Sequence, residues 1–80
     1  MEIEIKAFGI ARDILGNATF NLKIAEETSV ESLMERLKKD YPAFKELTSL
    51  AIAINTTYAT PGQLIKQGDE VVIIPPVAGG

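Results

Sequence analysis

Residues 2–8 alternate with period two. Ile3, Ile5 and Ala7 fall on one side and Glu2, Glu4 and Lys6 on the other, the pattern of a half-buried strand. Gly9 breaks it, and residues 10–15 read as a connection with one or two helical turns, closed by Gly16-Asn17 as a C-cap or turn. Alternation returns over residues 19–24, with Phe20, Leu22 and Ile24 inward, and the two strands are expected to pair as an antiparallel hairpin. The period then changes. Val30, Leu33, Met34, Leu37 and Tyr41 make one apolar helical stripe, while Glu35, Arg36, Lys38, Lys39 and Asp40 fall between them. Thr28-Ser29-Val30-Glu31 fits a capping box with Thr28 as N-cap and Glu31 reaching back, and Pro42 ends the helix at Tyr41.

Beyond the helix the segments are short. Residues 43–49 predict one more turn, with Phe44 and Leu47 capping the core, and residues 50–54 a third strand. Asn55-Thr56-Thr57 reads as a turn and residues 58–60 as a short edge strand. Pro61-Gly62 turns the chain, Leu64-Ile65 is expected in the core, and residues 66–69 form a tight turn into the last strand, residues 71–74. Val71-Val72-Ile73-Ile74 is β-branched throughout and lacks alternation, so it sends apolar side chains to both faces. The compact arrangement is α+β: a mixed sheet of four to five strands with one main helix across one face. The other face carries Glu2, Glu4, Lys6, Asn21 and Lys23, so part of the last strand should emerge there as an apolar patch for docking, unless loops cover it.

Pro75-Pro76 ends that strand, since neither residue can donate to a ladder. Val77, Ala78, Gly79 and Gly80 then taper in bulk, so a tail over about 75–80 can thread a narrow channel and reach roughly 20 Å. Gly80 leaves its carboxylate unshielded, which suits a group that another protein must activate. A frayed end would also finish on glycines, but the strand, the two prolines and the taper favour a working tail.

Composition narrows the chemistry. Eighty residues make one domain, and 46% hydrophobic with 24% charged residues is globular usage. A net charge of −3 without a Lys or Arg run argues against nucleic acid or an anionic membrane as partner. No apolar run is long enough to span a bilayer, and the acidic start is unlike a secretory signal, so a cytoplasmic chain is expected. Cysteine and histidine are absent, which removes thiolate nucleophiles, disulfides, thiolate zinc sites and imidazole bases. Arg12 and Asp13 have nothing converging on them and read as a structural ion pair or solvated turn. If the chain takes part in a reaction, its own C-terminal carboxylate is the expected reacting group.

The run Gly68-Asp69-Glu70-Val71-Val72-Ile73-Ile74-Pro75-Pro76-Val77-Ala78-Gly79-Gly80 resembles the end of the small, sulfur-carrying subunits of molybdopterin synthase, a family of ubiquitin-like β-grasp proteins. Phe8-Gly9-Ile10-Ala11-Arg12-Asp13-Ile14-Leu15-Gly16 resembles that family's segment after its first strand, with Asp13 where Glu is commoner, and Ala53-Ile54-Asn55 its third strand and turn. The resemblance covers essentially the whole chain. It implies a β-grasp fold and a non-catalytic, sulfur-donating subunit of a heterotetrameric enzyme, with no permanently bound cofactor. A ubiquitin-activating-like adenylyltransferase would use ATP on the Gly80 carboxylate, and a sulfur donor protein would convert it to a thiocarboxylate. Pro75, Pro76, Val77, Ala78 and Gly79 would insert into the large catalytic subunit, where sulfur passes to cyclic pyranopterin monophosphate. Phe8, Val72, Ile73 and Ile74 are the candidate interface residues. Three alternatives stand beside this one: a sulfur carrier for thiamine thiazole, which the double proline disfavours; a ubiquitin-like protein modifier; and a binding module with an inert tail.

Overall fold

A computed structural model of the chain describes residues 1–47 and 50–75; Thr48, Ser49 and residues 76–80 lie outside the described residues. The first strand, β1 (Glu2–Ala7), buries Ile3, Ile5 and Ala7 and exposes Glu2 and Glu4, as the alternation requires. At Gly9 the backbone swings to φ +54°, and helix α1 (Gly9–Leu15) follows, tucking Ala11 and Leu15 inward. Gly16, at φ +83°, closes α1 by donating its N–H to the carbonyl of Arg12 at 2.8 Å, the left-handed cap that glycine adopts without a side-chain penalty. Strand β2 (Thr19–Lys23) pairs antiparallel with β1, Ile3 opposite Leu22 and Ile5 opposite Phe20.

Helix α2 (Val30–Asp40) buries Val30, Leu33 and Leu37 against the sheet, with Met34 and Tyr41 partly buried at its flanks. It starts one residue later than the capping box predicts. Ser29 is the N-cap, and its hydroxyl oxygen accepts from the N–H of Ser32 at 3.1 Å. The cause is tertiary. Thr28 and Ser29 are drawn into extended pairing with the segment before the last strand: Ile65 donates to the Thr28 carbonyl at 2.9 Å, and Ser29 bridges Leu64. Thr28 turns its hydroxyl to the carbonyl of Ala25. Glu31 becomes the second helical residue, out of register for the box, and its N–H and that of Val30 donate instead to the carbonyls of Pro61 and Gln63, both at 2.9 Å. The first three N–H groups of α2 are thus all satisfied, two by the loop and one by the cap.

A 3₁₀ turn over Pro42–Glu46 sinks Phe44 into the core, where its ring meets Tyr41 edge to face at 6.2 Å between centroids. Strand β3 (Ala51–Ile54) and the two-residue β4 (Thr57–Tyr58) form a hairpin. Asn55 and Thr56 both have positive φ, 50° and 73°, which makes a two-residue turn and starts β4 at Thr57 rather than at Tyr58. Leu64 stays 48% exposed; of the Leu64-Ile65 pair only Ile65 enters the core. The final strand, β5 (Glu70–Ile74), runs through the middle of the sheet, whose order is β2-β1-β5-β3-β4. It lies parallel to β1 and antiparallel to β3. This is the expected α+β arrangement, with α2 across one face, and no helix among the described residues is long and apolar enough to cross a membrane.

Candidate functional site on the open face of the sheet

The sheet's two faces follow from register. Ile5 pairs with Val71 and Ala7 with Ile73, and across the other edge Ile54 meets Val71 and Ile52 meets Ile73. All six are buried under the helices, and Ile73 has no exposed surface at all. Ile73 is therefore a core residue and not part of an accessible interface: strand alternation turns it toward α2. Val72 and Ile74, one residue out of phase, point to the helix-free face, where both are half-buried.

Lys6 pairs with Val72 on the β1 side; the remaining neighbours of these two side chains define an apolar strip. Val72 pairs with Ala53, and Ala53 with Tyr58, which is 70% exposed on the edge strand. Ile74 pairs with Ala51. Phe8 remains extended, φ −126° and ψ 159°, so it continues the alternation of Glu4 and Lys6 onto the same face; it is 59% exposed. Large apolar groups held in water cost free energy, at about 25 cal/mol per Å² of apolar surface that a partner could cover. One end of the face is apolar. At the other end stand Glu2, Glu4 and Glu70, with Lys6 donating to Glu70 across β1 and β5 at 3.0 Å. That hydrogen bond, reinforced by the charge of Glu70, raises the Lys6 pKa above its ordinary value.

The apolar end of the strip leads to Pro75, where the described chain stops. Pro75 is half-buried, and its ring carbon lies 3.7 Å from the point where a β-carbon on Gly9 would stand. The other tail candidates, Pro76, Val77, Ala78, Gly79 and Gly80, lie outside the described residues. Phe8, Val72, Ile74 and Pro75 are thus brought together at one end of the sheet, and Ile73 is separated from them by the sheet itself.

Among the described residues no polar or charged side chain is buried, and no cluster of three or more carboxylates could hold a metal ion. Arg12 and Asp13 are exposed on α1, and no ion pair joins them. What the helix-free face offers is an apolar surface. Sequence reasoning missed Ala51, Ala53 and Tyr58 as members of the strip, and the Lys6–Glu70 pair. None carries a signal of its own, because their adjacency depends on β5 lying between β1 and β3, pairings far apart in sequence.

Comparison with known proteins agrees with this architecture. A family model described as the ThiS family matches residues 5–80. A molybdopterin synthase sulfur carrier subunit of Arabidopsis thaliana is 30% identical over 81 residues, covering 100% of this chain and 84% of that protein. Among solved structures, a putative molybdopterin converting factor subunit 1 from Pyrococcus furiosus superposes with a TM-score of 0.86 at 28% identity, over 96% of this chain and 99% of that one. A chain of the protein-protein complex of subunits 1 and 2 of the molybdopterin-converting factor from Helicobacter pylori gives 0.67 at 27% identity, over 100% of each chain. Small archaeal modifier protein 1 from Methanosarcina acetivorans gives 0.74 at 27% identity, over 99% of this chain and 96% of that one.

Proposed function

The chain belongs to the ThiS family, and from that premise we propose that it is the sulfur carrier subunit of a molybdopterin synthase, with its C-terminal carboxylate as the working group. The observation that carries the proposal is the apolar strip on the open face, formed by Phe8, Val72, Ile74 and Tyr58 and leading to Pro75 at the root of the Gly79-Gly80 end. An apolar surface leading to the root of a tapering terminus fits a protein that carries a group for another enzyme.

The chemistry follows from the carboxylate's own weakness as an electrophile. A ubiquitin-activating-like adenylyltransferase joins the Gly80 carboxylate to the α-phosphate of ATP, releasing pyrophosphate and leaving an acyl adenylate. Hydrosulfide, or a persulfide with a thiol to reduce the resulting acyl disulfide, displaces AMP and gives the thiocarboxylate. The strip docks on the large catalytic subunit, the partner type that the Helicobacter pylori complex suggests. Residues 76–80 enter its active site, and sulfur passes to cyclic pyranopterin monophosphate. Ordering the tail costs conformational entropy, and docking offsets it while fixing the sulfur near its target. ATP-dependent charging is the ground for expecting the cytoplasm as the place of work.

The proposal is tested by adding one residue after Gly80. Sulfur transfer to the pterin precursor should be lost with folding intact; full transfer by the extended chain overturns it. Protein modification is the second function with support, from the likeness to the Methanosarcina acetivorans modifier. It requires Gly80 in isopeptide linkage to lysine, seen as high-mass conjugates that survive reducing, denaturing conditions.

A further inference from the structure

Strand β4 covers only part of the β3 edge. The last hydrogen bond of their hairpin runs from the Ala59 N–H to the Ile52 carbonyl at 2.9 Å. The chain then leaves for the start of α2, where the carbonyls of Pro61 and Gln63 accept from Glu31 and Val30. In a strand the N–H and carbonyl of one residue point the same way, so the Ile52 N–H also faces this edge. Among the described residues it has no acceptor, since the Ala59 carbonyl does not take its proton. Leu50, two residues earlier, has no backbone hydrogen-bond partner among the described residues either. Where the two segments part, a cleft of about 480 Å³ opens on the helix side of the sheet. Val30 and Met34 of α2 line it, with Leu50, Ile52 and Pro61. Glu31 is the charged residue that joins them, and it belongs to neither of the ion pairs found among the described residues.

We propose that this cleft is a docking site for an extended segment of a partner protein, apolar at its centre and flanked by lysine or arginine, which adds to the β3 edge as a further strand. The proposal does not depend on the sulfur-carrier function, because it uses neither the C-terminus nor Val72 and Ile74 on the other face. The hydrogen bonding selects the occupant's backbone. An edge N–H without an acceptor is satisfied by the carbonyl of a neighbouring strand, and only an extended chain presents one in register. The lining selects its side chains. In a strand the residue that points into the cleft shares its face with those two places away. An apolar side chain at the centre is covered by Val30, Met34 and Ile52, and a cation on the same face matches Glu31, which has no cationic partner among the described residues. A second copy of the chain is a poorer occupant. Each copy carries a net charge of −3, and setting the opposite sheet edge, β2, against β3 is a head-to-tail contact that propagates without closing.

The experiment titrates the isotope-labelled full chain with a synthetic peptide, acetyl-Lys-Val-Ile-Val-Lys-amide, at low ionic strength, and follows the backbone amides by nuclear magnetic resonance. The cleft predicts saturable shifts centred on Val30, Glu31, Met34 and Ile52, with the Ile52 N–H moving downfield and a Kd of about 1 mM or tighter. Serine in place of the central isoleucine, or N-methylation of the peptide's central residues, should each weaken binding at least about fivefold. Glu31→Lys, at an exposed helix position, should weaken the lysine-flanked peptide about threefold and should bind a glutamate-flanked version more tightly than the unmodified chain does. Absence of shifts, or shifts centred on Thr19, Asn21 and Lys23 at the opposite sheet edge, would overturn the proposal. So would a charge reversal that leaves both affinities unchanged. A peptide-free chain that sediments as a dimer, and whose dilution moves the same four amides, would give the cleft to a second copy and overturn it. Truncation after Pro75 that moves those amides would give it to the chain's own end, with the same consequence.

Discussion

The side chain of Asn55 locks the β3–β4 turn to the strand that carries the tail: its amide nitrogen donates to Asp69 Oδ1 at 2.9 Å, and its carbonyl oxygen accepts from the Glu70 N–H at 3.0 Å. The Asn55 N–H donates in turn to the Glu70 carbonyl, also at 3.0 Å, and Asp69 Oδ2 accepts from the Lys66 N–H at 2.8 Å. Asn55 can do this because it sits at φ 50°, a conformation that asparagine tolerates better than other non-glycine residues. Asn55→Ala removes both side-chain hydrogen bonds and adds backbone strain, and should cost about 2–3 kcal/mol of unfolding free energy in urea. Asn55→Gly relieves the strain and should cost about 1 kcal/mol less than alanine.

The two faces of β5 should answer differently to charge. Ile73→Asp places an unpaired carboxylate in the core and should leave little folded protein, a loss above about 4 kcal/mol. Val72→Asp and Ile74→Asp, on the open face, should fold with an ordinary far-ultraviolet circular dichroism spectrum. Each should weaken binding to a large synthase subunit at least about tenfold in isothermal titration calorimetry. Undiminished affinity in both folded variants would remove the strip as the docking surface.

The cap of α2 provides a separate check on local structure. Ser29→Ala should destabilise the domain by about 1 kcal/mol, whereas Glu31→Ala should change stability by less than about 0.5 kcal/mol, since Glu31 closes no capping box here. Equal losses would restore the box that the sequence suggests.

The Lys6–Glu70 pair makes a prediction about pH. The Lys6 pKa is raised above 10.5, first by the hydrogen bond to Glu70 and then by its charge. Its stabilising effect is therefore fully present below 10.5 and is lost as pH rises through the raised value. Nuclear magnetic resonance titration of the Lys6 side chain should show the midpoint falling in Glu70→Gln. A midpoint unmoved by that substitution would mean that the pair does not persist in solution.

Much of this molecule can be read from its residues in order. Alternation at Ile3, Ile5 and Ala7 gives β1 and its buried side, and the stripe from Val30 to Tyr41 gives α2, because both signals are local and periodic. Gly16 reads as a cap for the same reason. What the sequence withholds is decided by neighbours distant in the chain. Val71, Val72, Ile73 and Ile74 are chemically alike, so only pairing with Ile5 and Ile52 on one side of the pleat reveals that Val71 and Ile73 are core and Val72 and Ile74 are surface. The N-cap moves from Thr28 to Ser29 because the loop over 61–65 captures the backbone of Thr28 and supplies carbonyls to the helix start. Tyr58 joins the apolar strip only because β5 inserts between β1 and β3. The expectation of a working tail comes from composition alone, from two prolines, a decline in side-chain bulk and two glycines, and of those residues only Pro75 lies among the described ones.

The central claim is that the reacting atom belongs to the carboxyl group of Gly80. Its most direct test is the mass of the C-terminal peptide after incubation of the full chain with a ubiquitin-activating-like adenylyltransferase, ATP and a sulfide source. The peptide should gain the difference between one sulfur and one oxygen, with fragmentation placing the change on Gly80 and omission of ATP abolishing it. An unchanged peptide, under conditions that convert an established sulfur carrier in the same tube, would contradict the account.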